Sequence, residues 1–175
     1  SGSDRVLRRM LRRYTVQGFL DTVERVRTGV PGIALSTDII VGFPGETEDD
    51  FEATLEVLRH IRFDDAFLYR YSPRDGTPAT RLPPGDFVDD EISGRRLQEA
   101  ISLHREIQRQ INEGEVGAVR EVLVERRARS EGDMLGRTAN GKVAVFGGPE
   151  SWRNTYRDVR LTSTSGPTFR AEVQP

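Results

Sequence analysis

Residues 36–47 read STDIIVGFPGET. Parity separates Leu35, Thr37, Ile39 and Val41 from Ser36, Asp38 and Ile40, the chain breaks on Gly42-Phe43-Pro44-Gly45, and Glu46-Thr47 leads into Glu48-Asp49-Asp50. Alternation marks a strand, and two glycines around a proline mark a tight turn. A threonine followed by acids marks a helix entrance, where carboxylates offset the positive end of the helix dipole. Strand, turn and helix in that order form the repeating unit of a parallel sheet with helical crossovers.

Working outward from this stretch, Leu7, Met10 and Leu11 predict an apolar stripe on a short helix whose other side carries Arg5, Arg8, Arg9 and Arg12. Val16, Phe19, Leu20, Val23 and Val26 recur at helical spacing until Gly29 and Pro31 end the segment. A strand is expected over about 33–42, then a helix burying Phe51, Leu55, Leu58 and Ile61, then a second strand over 66–72. Residues 73–88 form a Pro/Gly-rich loop, and 89–113 form a long helix carrying Leu97, Ile101, Ile107 and Ile111. After Gly114 the period shortens: VREVLVE, MLGRTANGKVAVF, YRDVRLTST and TFRAEV alternate as strands, with Asn140-Gly141 as a hairpin signal. The fold class is therefore α/β followed by all-β. An α/β domain covers residues 1–114, and a closed or nearly closed five-stranded OB-like β-barrel covers 115–175.

Of the 175 residues, 35% are hydrophobic and 31% charged, as expected for a globular protein. No apolar run approaches the ~18 residues of a membrane span, and residues 1–13 carry five arginines where a signal peptide needs an apolar core. No membrane partner is expected, and the cytoplasm is the expected compartment. The chain has no cysteine, which excludes disulfides, thiolate zinc and cysteine-ligated iron–sulfur clusters within it. His60 and His104 are isolated, so no metal ligand set is predicted. Residues 1–114 hold 16 basic and 20 acidic side chains, a net of −4, whereas 115–175 hold 10 and 8, a net of +2. Lys142 is the only lysine.

One face of the first strand carries Ser36 and Asp38, where a doubly covered strand should be apolar. In the second strand Phe67, Tyr69 and Tyr71 alternate with Leu68, Arg70 and Ser72. Asp38 and Arg70 are expected to meet in a shared interior, either as a satisfied buried ion pair or as part of a ligand-lined lumen at the C-terminal strand ends. Gly42 and Gly45 would let a ligand approach the backbone there, and Pro44 stiffens the turn. The phosphate loop, the dinucleotide fingerprint and the nucleophile elbow are all missing. The residues alone give no complete active site.

Three motifs, SGSDRVLRRMLRRYT (1–15), STDIIVGFPGETEDDF (36–51) and YSPRDGTPAT (71–80), occur in an order that resembles the radical S-adenosylmethionine methylthiotransferases. The nearest likeness is to the MiaB-type branch, which methylthiolates isopentenyl-adenosine beside the tRNA anticodon. LGRTANGKVAVF resembles the RNA-binding TRAM barrel of that family, with Gly141 inserted between Asn140 and Lys142. The resemblance implies the C-terminal half of a partial (β/α) radical-SAM barrel followed by a TRAM barrel. It also implies that the cluster-ligating cysteines lie in a missing N-terminal part of the same protein. The complete enzyme would hold S-adenosylmethionine and two 4Fe–4S clusters, while this chain alone would bind none of them and be inactive.

By the same likeness Ser1 and Ser3 fall near the cofactor ribose. Ile40, Gly42, Pro44 and Glu46 fall near the adenine, and Arg12 near the methionyl carboxylate or the substrate. Asp38 and Arg70 join this cofactor set. Arg74 favours the tRNA branch over the one that modifies a ribosomal-protein aspartate. The expected partner is a tRNA anticodon stem-loop, met by Arg137, Lys142, Arg153 and Arg157 in or beside predicted loops and strand edges. Phe146 and Trp152 are candidates to stack on bases, with a core role as the alternative for Phe146. Competing readings are a stand-alone RNA-binding module without catalysis and a structural α/β domain whose basic helix is a solvated face.

Overall fold

The computed structural model describes all of residues 1–175, which divide into two compact units, 1–107 and 108–175. The division falls inside α4 (Asp90–Glu115).

In the first unit α1 (Asp4–Arg9) and α2 (Val16–Gly29) precede β1 (Ser36–Val41), α3 (Glu48–Ile61) and β2 (Asp65–Arg70). The strands pair in parallel, Ser36 opposite Asp65 through Val41 opposite Arg70. Ile39 and Val41 are buried while Ser36 and Asp38 are exposed, so the alternation read in the sequence separates a packed face from an open one. α3 buries Phe51, Leu55, Leu58 and Ile61 as its spacing requires, and Thr47 and Asp50 close a reciprocal capping box at its start. The apolar positions of α2 are only half buried. The segment between β2 and α4 holds two short 3-10 turns, at Pro78–Arg81 and Pro84–Asp86.

The expected stripe on α1 is corrected at one end. Val6 and Leu7 are buried, but Leu11 is 68% exposed. The helix stops before it: the Leu11 amide donates to the Arg8 carbonyl at 3.0 Å and the Arg12 amide to the Leu7 carbonyl at 2.9 Å. These two bonds form a Schellman termination, which places Leu11 in the left-handed region at φ 57°. Nothing in the sequence announces it, because glycine usually holds that position.

The second unit contains β3 (Val119–Arg127), β4 (Asp133–Thr138), β5 (Val143–Gly147), β6 (Tyr156–Ser165) and β7 (Thr168–Val173), closed in the order β3-β4-β5-β7-β6. All pairs are antiparallel except β5 with β7. Val122, Val124, Met134, Phe146, Val159, Leu161 and Phe169 fill the interior. The β4–β5 hairpin turns at Asn140-Gly141, where φ of Gly141 is +82°. No helix is long and apolar enough to cross a membrane.

Candidate functional site

The loop that follows β1 is fastened from both sides. Ser3 caps α1 and its hydroxyl donates to Asp50 at 2.5 Å, while the Thr47 amide donates to the same carboxylate at 2.8 Å. Arg5 forms an ion pair with Asp50 and also donates to the Gly45 carbonyl at 2.6 Å. Burial would raise the Asp50 carboxyl, but the bonds from Arg5, Ser3 and Thr47 outweigh it and hold the group well below the usual carboxylate range. On the other side Glu46, 5% exposed, accepts from the Gly42 amide at 2.8 Å and from Arg96 at 2.9 Å. Arg96, also buried, reaches Glu48 at 2.9 Å and lies over the Phe51 ring. Burial raises the Glu46 carboxyl, against the opposing pull of the Gly42 amide and Arg96.

These contacts correct what the glycines are for. A Cβ on Gly42 would lie 2.6 Å from Cβ of Ser93, and one on Gly45 would lie 2.8 Å from the Arg9 guanidinium carbon. Both glycines make room for the protein's own side chains. Arg9 then donates to the Pro44 carbonyl at 2.9 Å and pairs with Asp86. Ser3, Gly42, Pro44 and Glu46 are thus committed to holding the loop.

The open face of the sheet borders a groove of about 710 Å³ at the C-terminal ends of β1 and β2. Asp38, Ile40, Phe43, Tyr69 and Tyr71 line it, with Arg9 and Arg74 among its cations. Phe67 and Tyr69, 52% and 50% exposed, share the face of Asp38 and Ile40. Phe43 and Tyr71 meet edge to face at 5.0 Å, and the Tyr71 hydroxyl is buried without a partner. Asp38 also borders a 70 Å³ cavity with Ser1, so these two expected site residues do come together.

Asp38 and Arg70 both border this groove, but the ion pair expected as one alternative does not form between them. Asp38 lies opposite Phe67 and Arg70 opposite Val41. Paired residues of a parallel ladder share a face, so Asp38 and Arg70 occupy opposite faces. Arg70 borders the groove, but its guanidinium reaches Asp90 at 3.5 Å. Both strands alternate, and only their register, invisible in the sequence, decides which side chains meet. Arg12 lies apart from the groove, in a depression with Arg8 and Arg13.

On the barrel, the phosphate-contact reading of Lys142 is overturned. Its side chain is 9% exposed and its ammonium donates to Glu115 and to Asn112, each at 2.8 Å. Burial would raise the Glu115 carboxyl, but Lys142 and then Arg120 hold it below its ordinary value. Arg137 is half exposed and bonded to Glu125 at 3.0 Å and to the Gly141 carbonyl at 2.9 Å. Phe146 is core. Arg153 is exposed, and Arg157 lies 5.0 Å over the Trp152 ring.

Two backbone bonds, Asn154 amide to Val124 carbonyl at 2.8 Å and Val124 amide to Thr155 carbonyl at 2.9 Å, run the end of β3 beside the start of β6. They bring the Arg126 segment close to Arg153, and Tyr156 at the start of β6 is 60% exposed. Arg127 is neutralised by Glu150. Arg126 was legible only as part of the basic run RRAR at 126–129.

Residues 1–58 match the Radical SAM superfamily, and residues 113–167 match the TRAM domain. A Chlorobium luteolum protein named tRNA-2-methylthio-N(6)-dimethylallyladenosine synthase is 46% identical over 170 residues, covering 97% of this chain and 38% of the relative. Proteins of the same name from Carboxydothermus hydrogenoformans and Treponema denticola are 41% and 40% identical, each covering 98% of this chain and 38% of the relative. The chain therefore spans under two-fifths of the length of these relatives. The chain thus carries a Radical SAM superfamily match followed by a TRAM domain match, and over nearly its whole length it is similar to part of these tRNA-2-methylthio-N(6)-dimethylallyladenosine synthases.

Proposed function

We propose that this chain is a piece of a cytoplasmic tRNA 2-methylthiotransferase acting on N6-isopentenyl (dimethylallyl) adenosine, and that it supplies one wall of the cofactor groove together with an RNA-binding barrel. The observation that carries the reading is the shared name of relatives whose similarity runs through both units, over 97–98% of the chain. S-adenosylmethionine, with two 4Fe–4S clusters, would supply the radical chemistry of the complete protein.

The groove fits an adenosyl group. Ile40, Phe43 and Tyr69 offer apolar and aromatic walls, Asp38 offers an acceptor, and the unpartnered Tyr71 hydroxyl offers a polar contact. The clusters do not fit: there is no cysteine, and no group of three or more His, Asp or Glu that could hold a metal ion. Cluster ligands belong to a part of the protein outside this chain, and the chain alone is proposed to be inactive. Here Asp38 and Ile40 orient the bound group, and the Arg5–Asp50 and Glu46–Arg96 clamps fix the loop beneath it. In this reading Arg126, Arg153 and Arg157 meet RNA phosphates, and the exposed ring of Tyr156 offers a stacking surface.

The test is binding of an anticodon stem-loop RNA by this chain across a salt series, alongside anaerobic reconstitution and iron analysis. The expected result is salt-sensitive RNA binding without stoichiometric iron. No binding at low salt overturns the RNA reading, and stoichiometric iron overturns the assignment of the cluster to another part of the protein.

A further inference from the structure

α1 sorts its arginines by direction. Arg5 and Arg9 turn toward the Gly-Phe-Pro-Gly loop and are neutralised by Asp50 and Asp86. Arg8 turns away from it. The left-handed residue Leu11 then ends the helix and sends Arg12 and Arg13 back beside Arg8, so that all three line one depression of about 430 Å³ with Tyr14, Thr15 and Gly18. All three arginines are exposed, and none has a carboxylate partner.

The acid bordering this depression is Asp4, and its carboxylate is engaged by the Val16 amide at 2.7 Å. The first turn of α2 contributes no further acid. Three guanidinium groups thus line a depression that holds a single carboxylate, which leaves it net positive in a segment whose residues 1–114 are net acidic. Their mutual repulsion is relieved by a polyanion that presents several charges at once, and guanidinium forks match phosphate oxygens. Tyr14 is 50% exposed at the rim, braced against Phe19 with ring centroids 6.1 Å apart, and offers a ring face to a base.

We propose that Arg8, Arg12 and Arg13, with Tyr14, form a second RNA contact that grips successive phosphates on the radical-SAM portion, distinct from the barrel surface. This rests on the reading of the chain as an RNA binder. Arg12 thereby takes a role toward substrate backbone instead of a cofactor carboxylate.

The experiment titrates an anticodon stem-loop RNA against the full 175-residue chain over a potassium chloride series. Four proteins are compared: wild type, Arg8→Gln/Arg12→Gln/Arg13→Gln, the corresponding triple Lys variant, and the barrel variant Arg126→Gln/Arg153→Gln. If each arginine neutralises one phosphate, the triple Gln variant lowers the slope of log affinity against log salt by about 2, and the Lys variant keeps the wild-type slope. Thermal melts of the variants coincide with wild type, since the substituted side chains are exposed. Wild type that fails to bind at low salt overturns the RNA reading itself. Binding that is weakened in the barrel variant, with an unchanged slope in the triple Gln variant, overturns this contact alone.

Discussion

Replacing Asp50 by alanine removes the knot that ties Ser3, Arg5 and Thr47 together. The reciprocal cap of α3 contributes about 1 kcal/mol. The bonds to Ser3 and Arg5 are charge-assisted and add about 2 kcal/mol, a value discounted because the half-exposed Arg5 regains water when its partner is lost. The expected loss is about 3 kcal/mol, which lowers the melting midpoint of a unit of this size by about 10–15 °C. The pH dependence has a definite sign. The Asp50 carboxyl is held below its ordinary range in the folded state, so its contribution is complete above the ordinary carboxylate pKa of about 4 and is lost as pH falls through the lower folded-state value. Thermal denaturation followed by circular dichroism from pH 7 to pH 3 should show a wide gap between wild type and Asp50→Ala that narrows on the acid side. Asp49→Ala, at the exposed neighbour, should change stability by less than about 0.5 kcal/mol. A loss for Asp50→Ala of under about 1 kcal/mol, or a gap that widens toward acid, would refute the reasoning.

Three further outcomes can be measured. Gly42→Ala combines a positive φ of 71° with a Cβ only 2.6 Å from that of Ser93. It should therefore destabilise by about 3 kcal/mol, and a cycle with Ser93→Gly should reveal a coupling of about 1 kcal/mol or more. Lys142→Met removes the ammonium from Asn112 and leaves Glu115 with Arg120 as its cation, so it should lower barrel stability by about 2 kcal/mol in a denaturant titration and leave the salt slope of RNA binding unchanged. His104 is 5% exposed with both ring nitrogens lacking hydrogen bonds, and burial pushes its imidazole below the ordinary value despite Asp65 nearby. The folded form takes up its proton at lower pH than the unfolded form, whose ordinary value is about 6.5, so stability falls as pH drops below that value and His104→Leu should flatten the decline.

Helix positions were legible wherever a periodic stripe met a packed partner. Phe51, Leu55, Leu58 and Ile61 on α3 are the clearest case, since the Thr47 cap and the spacing point to the same face. Strand alternation was equally legible, but pairing register was not. Asp38 and Arg70 were matched by parity within each strand, whereas which residue faces which depends on how β1 and β2 slide against each other. Leu11 escaped because a leucine gives no sign that it will occupy a left-handed turn. Lys142 was misplaced for a related reason: a lone lysine after a hairpin turn reads as solvated, and only the closed barrel shows Glu115 and Asn112 waiting for it. The glycines were recognised as close-contact positions, but sequence could not say that the contact at Gly42 is Ser93, some fifty residues away.

The seclusion of Lys142 gives the protein an unusual chemical signature. Lys142 is the only lysine among 26 lysine and arginine residues, so this chain has one lysine amine, and that amine is paired and shielded in the folded barrel. Acylating reagents and lysine-specific proteases, which need a free and accessible amine, find no side-chain target until the barrel opens. The rate at which Lys142 becomes reactive is then an intrinsic clock for barrel opening, readable by mass spectrometry without a probe being introduced.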